Sequence, residues 1–483
     1  MQTRASTPAF IRLIPLLRER QPARLGPVAA HFGALAGLLL AAGCTLSNEV
    51  NDDPEGNAAA NMYREGPSER SVSLWADPGE NLLAALAEVE ESDRGVVLPL
   101  DNRVLGHMLG EVGAYFSATT TFTPFSDALE RQSMECDSST LPDAIETVCA
   151  MLNEPRRADD DSTGGPVRLV IVNELQHVAY QRSFVRQLLA CSYEAGFRYL
   201  GIEALTEDDA ALEARGRVSR AESGVLTRDA QLGRLVDDGI RLGYDLVSYE
   251  VAEHCTDCGY LQAIREHAEE QAANLIGKTF AIDPGAKVLV LAGARQAYKR
   301  IWGPEPYITS LGGHVWEQSG VEPFSIEQVA VDRPSLQFGA SEPNPPSGMY
   351  AVNGQVDGRC MGSYGEGSPT GMANLDAIVF HVPPHTDAER WDWLHAPAEE
   401  RRTVTATCGT CTASERLLLQ AFPAGIDRTD RIPLDQATCS AGAACQLALP
   451  AGAYDVVVWS ESAEVGVGTA DLQTSAAATV SVP

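Results

Sequence analysis

Residues 167–177 read Val167-Arg168-Leu169-Val170-Ile171-Val172-Asn173-Glu174-Leu175-Gln176-His177. The apolar run Val167–Val172 is too short for a typical helix. It is nearly continuous in hydrophobicity, which is the pattern of a strand covered on both faces. Working outward, Tyr180–Glu194 places Phe184, Leu188 and Leu189 on one helical face and stops at Gly196. Tyr199–Ala204 reads as a second strand and Asp245–Glu250 as a third. Tyr260–Ile276 reads as a helix closed by Gly277, Lys287–Ala292 as a fourth strand and Asp376–His381 as a fifth. Strands alternating with helices at this spacing predict an α/β domain over residues 166–395, a mainly parallel sheet flanked by helices.

The flanks have different textures. Residues 80–165 carry helical patterns at Asn81–Glu91 and Leu141–Leu152, ending in the polar loop 158–165. From residue 396 to 483 short strand-like runs recur at Thr403–Cys408, Arg416–Phe422, Cys445–Leu449, Tyr454–Trp459 and Ala476–Val482, separated by Gly, Pro and Asp. With Cys408, Cys411, Cys439 and Cys445, they predict a small C-terminal β-sandwich.

The net charge of −30 on 483 residues argues against nucleic acid as a partner, because phosphate binding requires a basic face. The long uncharged apolar run sits at the N-terminus. Five arginines within residues 4–24 precede the apolar stretch Phe32–Ala42, and Leu40-Ala41-Ala42-Gly43-Cys44 resembles a bacterial lipobox. A membrane-spanning anchor is the competing reading, but the stretch is shorter than the ~20 residues a spanning helix needs. On the lipobox reading, residues 1–43 are a signal peptide and Cys44 takes lipid and joins the chain to the bilayer. Residues 44–79 are then a flexible tether. Thr45 rather than Asp after Cys44 favours the outer membrane, by resemblance to Gram-negative lipoproteins. Ten cysteines remain, an even number in an oxidising compartment, so disulfides are expected. The local pairs Cys136–Cys149 and Cys255–Cys258, and bridges within the last four, are the simplest connectivity.

Ligands of parallel α/β sheets bind beyond the carboxyl ends of the strands. There the sequence delivers Glu174 and His177, then Glu203, then Tyr249 and Glu250, then Arg295 and Gln296, and His381 at the fifth strand. Carboxylates near a histidine can orient it and raise its basicity, as a general base requires.

The spacing Glu174-x-x-His177, followed by Arg182, Phe184, Leu188-Leu189, Gly196-Phe197-Arg198 and Leu200-Gly201-Ile202-Glu203-Ala204, resembles the opening of the erythromycin esterase family. Arg265-Glu266 and Ala272-Ala273-Asn274-Leu275 are similar to its arginine-led helix, and Lys287–Ala292 to its next strand. The wider superfamily includes ChaN-type haem-binding lipoproteins and the TraB/Tiki proteins. The resemblance covers residues 166–330. It implies a hydrolase in which His177 activates water against an ester or lactone. Glu174 and Glu203 would orient it, and Arg265 or Arg182 would stabilise the oxyanion. Arg182, Tyr249, Glu250 and Gln296 are the further binding candidates. Where the esterases carry a second histidine, this chain has Gly293-Ala294-Arg295-Gln296, and glutamine cannot shuttle a proton near neutral pH. The resemblance therefore also admits a non-catalytic lipoprotein that binds haem, iron or another small ligand. Under the enzymatic reading no cofactor is expected.

His254-Cys255-Thr256-Asp257-Cys258 admits a structural disulfide, a redox dithiol or, with His254 and His267, part of a metal site. The G-x-S-x-G elbow, the P-loop and the Rossmann glycine pattern are absent from the sequence. That disfavours a classical serine hydrolase and a nucleotide site.

Overall fold

In the computed structural model the described residues are 81–92, 108–109, 144–153, 165–176, 178–207, 209–251, 260–293, 296–299, 310–330, 349–353, 375–381, 402–441, 443 and 445–482. Two helices, α1 (Leu82–Ser92) and α2 (Ala144–Asn153), precede β1 (Leu169–Glu174). Then follow α3 (Ala179–Glu194), β2 (Tyr199–Ile202), α4 (Ala230–Leu242), β3 (Asp245–Ser248), α5 (Tyr260–Lys278), β4 (Val288–Gly293), α6 (Leu311–Ser319), β5 (Pro323–Ala330), β6 (Met349–Asn353) and β7 (Ala377–His381).

All six residues of β1 are buried, as the continuous apolar run predicts. The sheet order is β3-β2-β4-β1-β5-β7-β6. Its strands are parallel except for β6, which pairs antiparallel with β7 at the edge. The α/β fold with helices on both faces stands. Its fifth strand in sequence is Pro323–Ala330, and the expected Asp376–His381 strand is the seventh. The alternation Phe324, Ile326 within a polar run hides β5 in the sequence, because only half of its residues are apolar. Helix α5 runs through Gly277 to Lys278 rather than stopping there.

The pleat sorts the core into two layers, since successive strand residues face opposite sides. Val170, Val172, Leu200, Ile202, Leu289 and Leu291 pack with Phe184 and Leu188 of α3 and Leu235 of α4. Leu169, Ile171, Val288 and Val290 pack with Ala272 and Leu275 of α5 and Leu311 and Val315 of α6. Asp229 caps α4 by accepting from the Gln231 and Leu232 amides, both at 2.9 Å. Past β2 the chain turns at Gly224, where φ is +114° and a Cβ would lie 2.4 Å from the Ala204 carbonyl oxygen. Only glycine meets both demands.

Cys149 of α2 is bonded to Cys191 of α3, with Cα atoms 5.8 Å apart. This corrects the expected Cys136–Cys149 pair. Tertiary packing of α2 on α3, 42 residues away in sequence, decided the partner where sequence proximity did not. Cys408–Cys411 and Cys439–Cys445 are bonded as expected within the last four. Cys44, Cys136, Cys255, Cys258, His177, His254 and Arg295 lie outside the described residues.

The C-terminal region forms two sheets. β8 (Arg402–Cys408), β9 (Arg416–Pro423), β10 (Asp435–Ser440), β11 (Cys445–Leu449), β12 (Ala453–Ser460), β13 (Glu464–Asp471) and β14 (Ala477–Val482) order as β10-β9-β12-β13 and β11-β8-β14. They enclose their own core around Val404, Leu419, Leu447, Val456 and Val458. Leu418 and Trp459 point the other way, into the core of the α/β domain. Polar contacts reinforce that junction: Arg416 pairs with Glu90 of α1 at 2.8 Å, and Ser219 Oγ donates to Asp430 Oδ1 at 2.5 Å. Among the described residues, no helix is long and apolar enough to cross a membrane.

Candidate active site

Parity of the pleat separates the acidic residues at the carboxyl edge. Glu174 shares a side with Val170 and Val172 and so faces α3 and α4. There Arg182 Nε meets its Oε2 at 2.7 Å, while Arg182 Nη1 lies 3.0 Å from Asp229 Oδ1. Arg182 also donates through Nη2 to the Gln176 carbonyl, and its side chain is only 2% exposed. Its guanidinium is thus committed to fastening the end of β1 to α3 and to the α4 cap. Burial pushes the Glu174 pKa up while Arg182 opposes the shift.

Glu203, the first residue after β2, follows Ile202 and turns to the opposite side, toward α5. Its amide donates to the Leu291 carbonyl at 3.3 Å, and its Oε2 accepts from the Gly293 amide. Its Oε1 is buried without a hydrogen bond of normal geometry, although the Gln271 amide is close enough to lower the carboxyl pKa. A Cβ at Gly293 would come 3.2 Å from Glu203 Oε2 and 3.7 Å from Gln176 Nε2, so a bare backbone lets both side chains approach the end of β4.

Glu250 follows β3 by two residues. Its Oε1 accepts from the Val251 amide at 2.8 Å, and its Oε2 accepts from Gln271 Nε2 at 3.1 Å. His267 Nε2 lies 3.1 Å from Glu250 Oε1. His267, Gln271 and Asn274 stand at i, i+4 and i+7 on α5 and share one face. Asn274 Nδ2 completes the stripe by donating to the Tyr249 carbonyl at 3.3 Å. Glu203, Glu250 and His267 each offer one atom within 4.8 Å of the other two.

Burial dominates the electrostatics. It pushes the Glu203 carboxyl up to about 7. The Gly293 N–H resists that shift, Glu174 adds to it and Gln271 resists it. Burial, with Glu203 as a second cause, pushes Glu250 up to about 8. Two carboxyls so placed hold a proton between them near neutrality and can exchange it with a bound molecule, the requirement for acid–base catalysis. Two carboxylates and an imidazole are equally a donor set for a first-row divalent cation.

Other sequence-predicted residues take different places. Tyr249 is fully buried in the core, and its hydroxyl donates to the Leu291 carbonyl at 2.9 Å. Its role is therefore packing against β4 rather than presentation to a ligand. Gln296 uses its Oε1 to accept from the Leu311 amide at 2.8 Å, capping α6. Arg265 precedes His267 by two residues, roughly 200° around the helix. Its charge is felt by His314 of α6. The α5 residue that joins the carboxylates is His267, which the sequence suggested only as a companion of the Cys255-x-x-Cys258 motif. The available signal was the i, i+4, i+7 spacing of His267, Gln271 and Asn274 along α5.

No protein-family model and no curated protein matches the chain. Solved structures that match include one titled "Bacterial protein toxins", at 14% identity over 48% of this chain and 51% of that one, with a TM-score of 0.27. RRSP, a MARTX toxin effector domain from Vibrio vulnificus CMCP6, matches at 14% over 48% and 50%, with a TM-score of 0.26. The C-terminal region of Pasteurella multocida toxin, described as having a thiol-protease like catalytic triad, matches at 14% over 51% and 36%, with a TM-score of 0.27. The aligned part spans about half or less of each of these chains. A likeness this slight identifies neither family nor activity.

Proposed function

We propose that this chain is an outer-membrane lipoprotein, anchored through Cys44, that hydrolyses an ester or lactone of a small molecule at the carboxyl edge of its sheet. The observation that carries the reading is the convergence of Glu203, Glu250 and His267 from β2, β3 and α5 on one buried spot. One carboxylate takes a proton from water as that water attacks the carbonyl carbon. The protonated partner gives its proton to the departing alkoxide oxygen, so the pair ends with its proton count unchanged. His267 holds Glu250 in place, and the Gly293 amide and Gln271 hold Glu203. The resemblance to the esterases would instead give the general-base step to His177, the residue after Gln176, with a protonated carboxyl remaining the acid.

The same three side chains support a second reading, a site that binds iron or another first-row divalent ion without catalysis. Their mutual closeness favours it.

Turnover of aryl esters and of macrocyclic lactones by the mature chain separates the readings. Catalysis predicts that Glu203→Gln, Glu250→Gln and His177→Ala each lower kcat by about 10²–10⁴-fold, the usual worth of an acid–base group. Wild type inert to every substrate but taking up one ferrous or manganous ion, with uptake lost in Glu203→Gln, selects the binding reading. Neither turnover nor uptake refutes both.

A further inference from the structure

A cavity of about 430 Å³ opens where the sandwich meets the α/β domain, and none of the residues of the carboxyl-edge site lines it. In a chain of net charge −30 its lining is unusual. Arg220 and Arg228 reach it from the loop between β2 and α4, and Arg428 and Arg431 from the loop between β9 and β10. Two carboxylates, Asp427 and Glu464, also line it. Asp427 is held in place by the Thr429 amide and hydroxyl, which donate to its Oδ1 at 3.0 and 2.6 Å. Arg217 nearby spends its charge on Asp430. Among the described residues, neither Arg428 nor Arg431 forms an ion pair. Burial, with Arg217 as a second cause, pushes the Arg431 pKa down, while Asp237, Asp427 and Asp430 oppose the shift.

The rest of the wall mixes apolar side chains, among them Phe422, Val457 and Trp459, with the amides of Gln420 and Gln436. Phe422 and Val457 are buried in the sheet, and the Trp459 ring is held in position by its Nε1 donating to Gln420 Oε1 at 3.1 Å. Gln420 is itself fixed, donating to Gln436 Oε1 at 2.9 Å. A fixed aromatic side chain and arginines lining one cavity suit a molecule with an anionic group on a planar or apolar body. Arginine forks match carboxylate and phosphate oxygens, while aromatic faces take the ring. Cavities of this size at domain junctions are common ligand sites. We propose that this junction pocket binds a small organic anion, an aryl or similarly flat carboxylate or phosphate, with Arg428 and Arg431 holding the anionic group and Trp459 the body.

Isothermal titration of the full mature chain with inorganic phosphate, phenyl phosphate and benzoate tests this. Phenyl phosphate should bind at least about tenfold more tightly than inorganic phosphate, a difference of about 1.4 kcal/mol. It should quench tryptophan fluorescence, and the double variant Arg428→Gln/Arg431→Gln should lose about tenfold or more in affinity. Trp459→Leu should abolish the preference for the ring while leaving phosphate binding. Arg428 and Arg431 are half-exposed loop residues, so the double variant should keep the wild-type melting temperature without ligand. Glu203→Gln should bind phenyl phosphate as wild type does, which separates this pocket from the carboxyl-edge site. Absence of binding by both aryl anions, equal affinity for phosphate and phenyl phosphate, or undiminished binding by the double variant would each overturn the proposal.

Discussion

Replacing Glu203 by glutamine tests the electrostatics of the carboxyl edge directly. The Glu203 carboxyl titrates at about 7 in the folded protein, against an ordinary value of 4.5, because burial disfavours its charged form. A folded pKa above the unfolded one contributes stability that is fully present below about 4.5 and is lost as pH rises through about 7. At about 1.4 kcal/mol per unit, the loss by pH 8 is about 3 kcal/mol. Glu250 faces Glu203 and titrates at about 8, so the pair shares its protons and the figure belongs to the pair. Glutamine keeps the shape and has no charge to bury. Its Oε can still accept from the Gly293 amide, as Glu203 Oε2 does in the wild type. Glu203→Gln should therefore lie within about 1 kcal/mol of wild type at pH 5 and exceed it by up to about 3 kcal/mol at pH 8. Urea unfolding of the α/β domain at pH 5, 6.5 and 8, with chelator present, measures the difference while titrations elsewhere cancel. A constant gap between the two proteins at all three pH values would refute the reasoning. So would a variant less stable than wild type at pH 8.

Three further outcomes are expected. Arg182→Met strands Glu174 and Asp229 as buried charges without their cation and should destabilise by about 3–5 kcal/mol in urea; a loss below about 1 kcal/mol would show that the pairing is dispensable. Non-reducing peptide mapping should recover Cys149 linked to Cys191, and Cys149→Ser/Cys191→Ser should cost up to about 4 kcal/mol by closing no 42-residue loop in the unfolded chain; Cys149 recovered with Cys136 would contradict the packing of α2 on α3. Cys44→Ser should move the protein from the membrane fraction to the soluble periplasmic fraction, and unchanged fractionation would remove the lipid anchor from the proposal.

The parallel sheet was legible in the sequence because β1 and β4 are covered on both sides and must be apolar at nearly every position. Five of the C-terminal strands were legible as short runs bounded by Gly, Pro and Asp, while β10 and β13, with few large apolar residues, were not. The carboxyl edge was legible too, since Glu174, Glu203 and Glu250 each follow a strand. Which of them work together was not. A one-residue difference in where a strand ends sends a side chain to the other face, so Glu174 goes to Arg182 while Glu203 goes to His267. No motif marks His267, because its role depends on α5 lying across the ends of β2 and β3. The partner of Cys149 likewise depends on which helix lies beside it. Local pattern sets which residues are buried and where strands stop; pleat parity and helix packing, which act between segments distant in the chain, decide which buried polar groups meet.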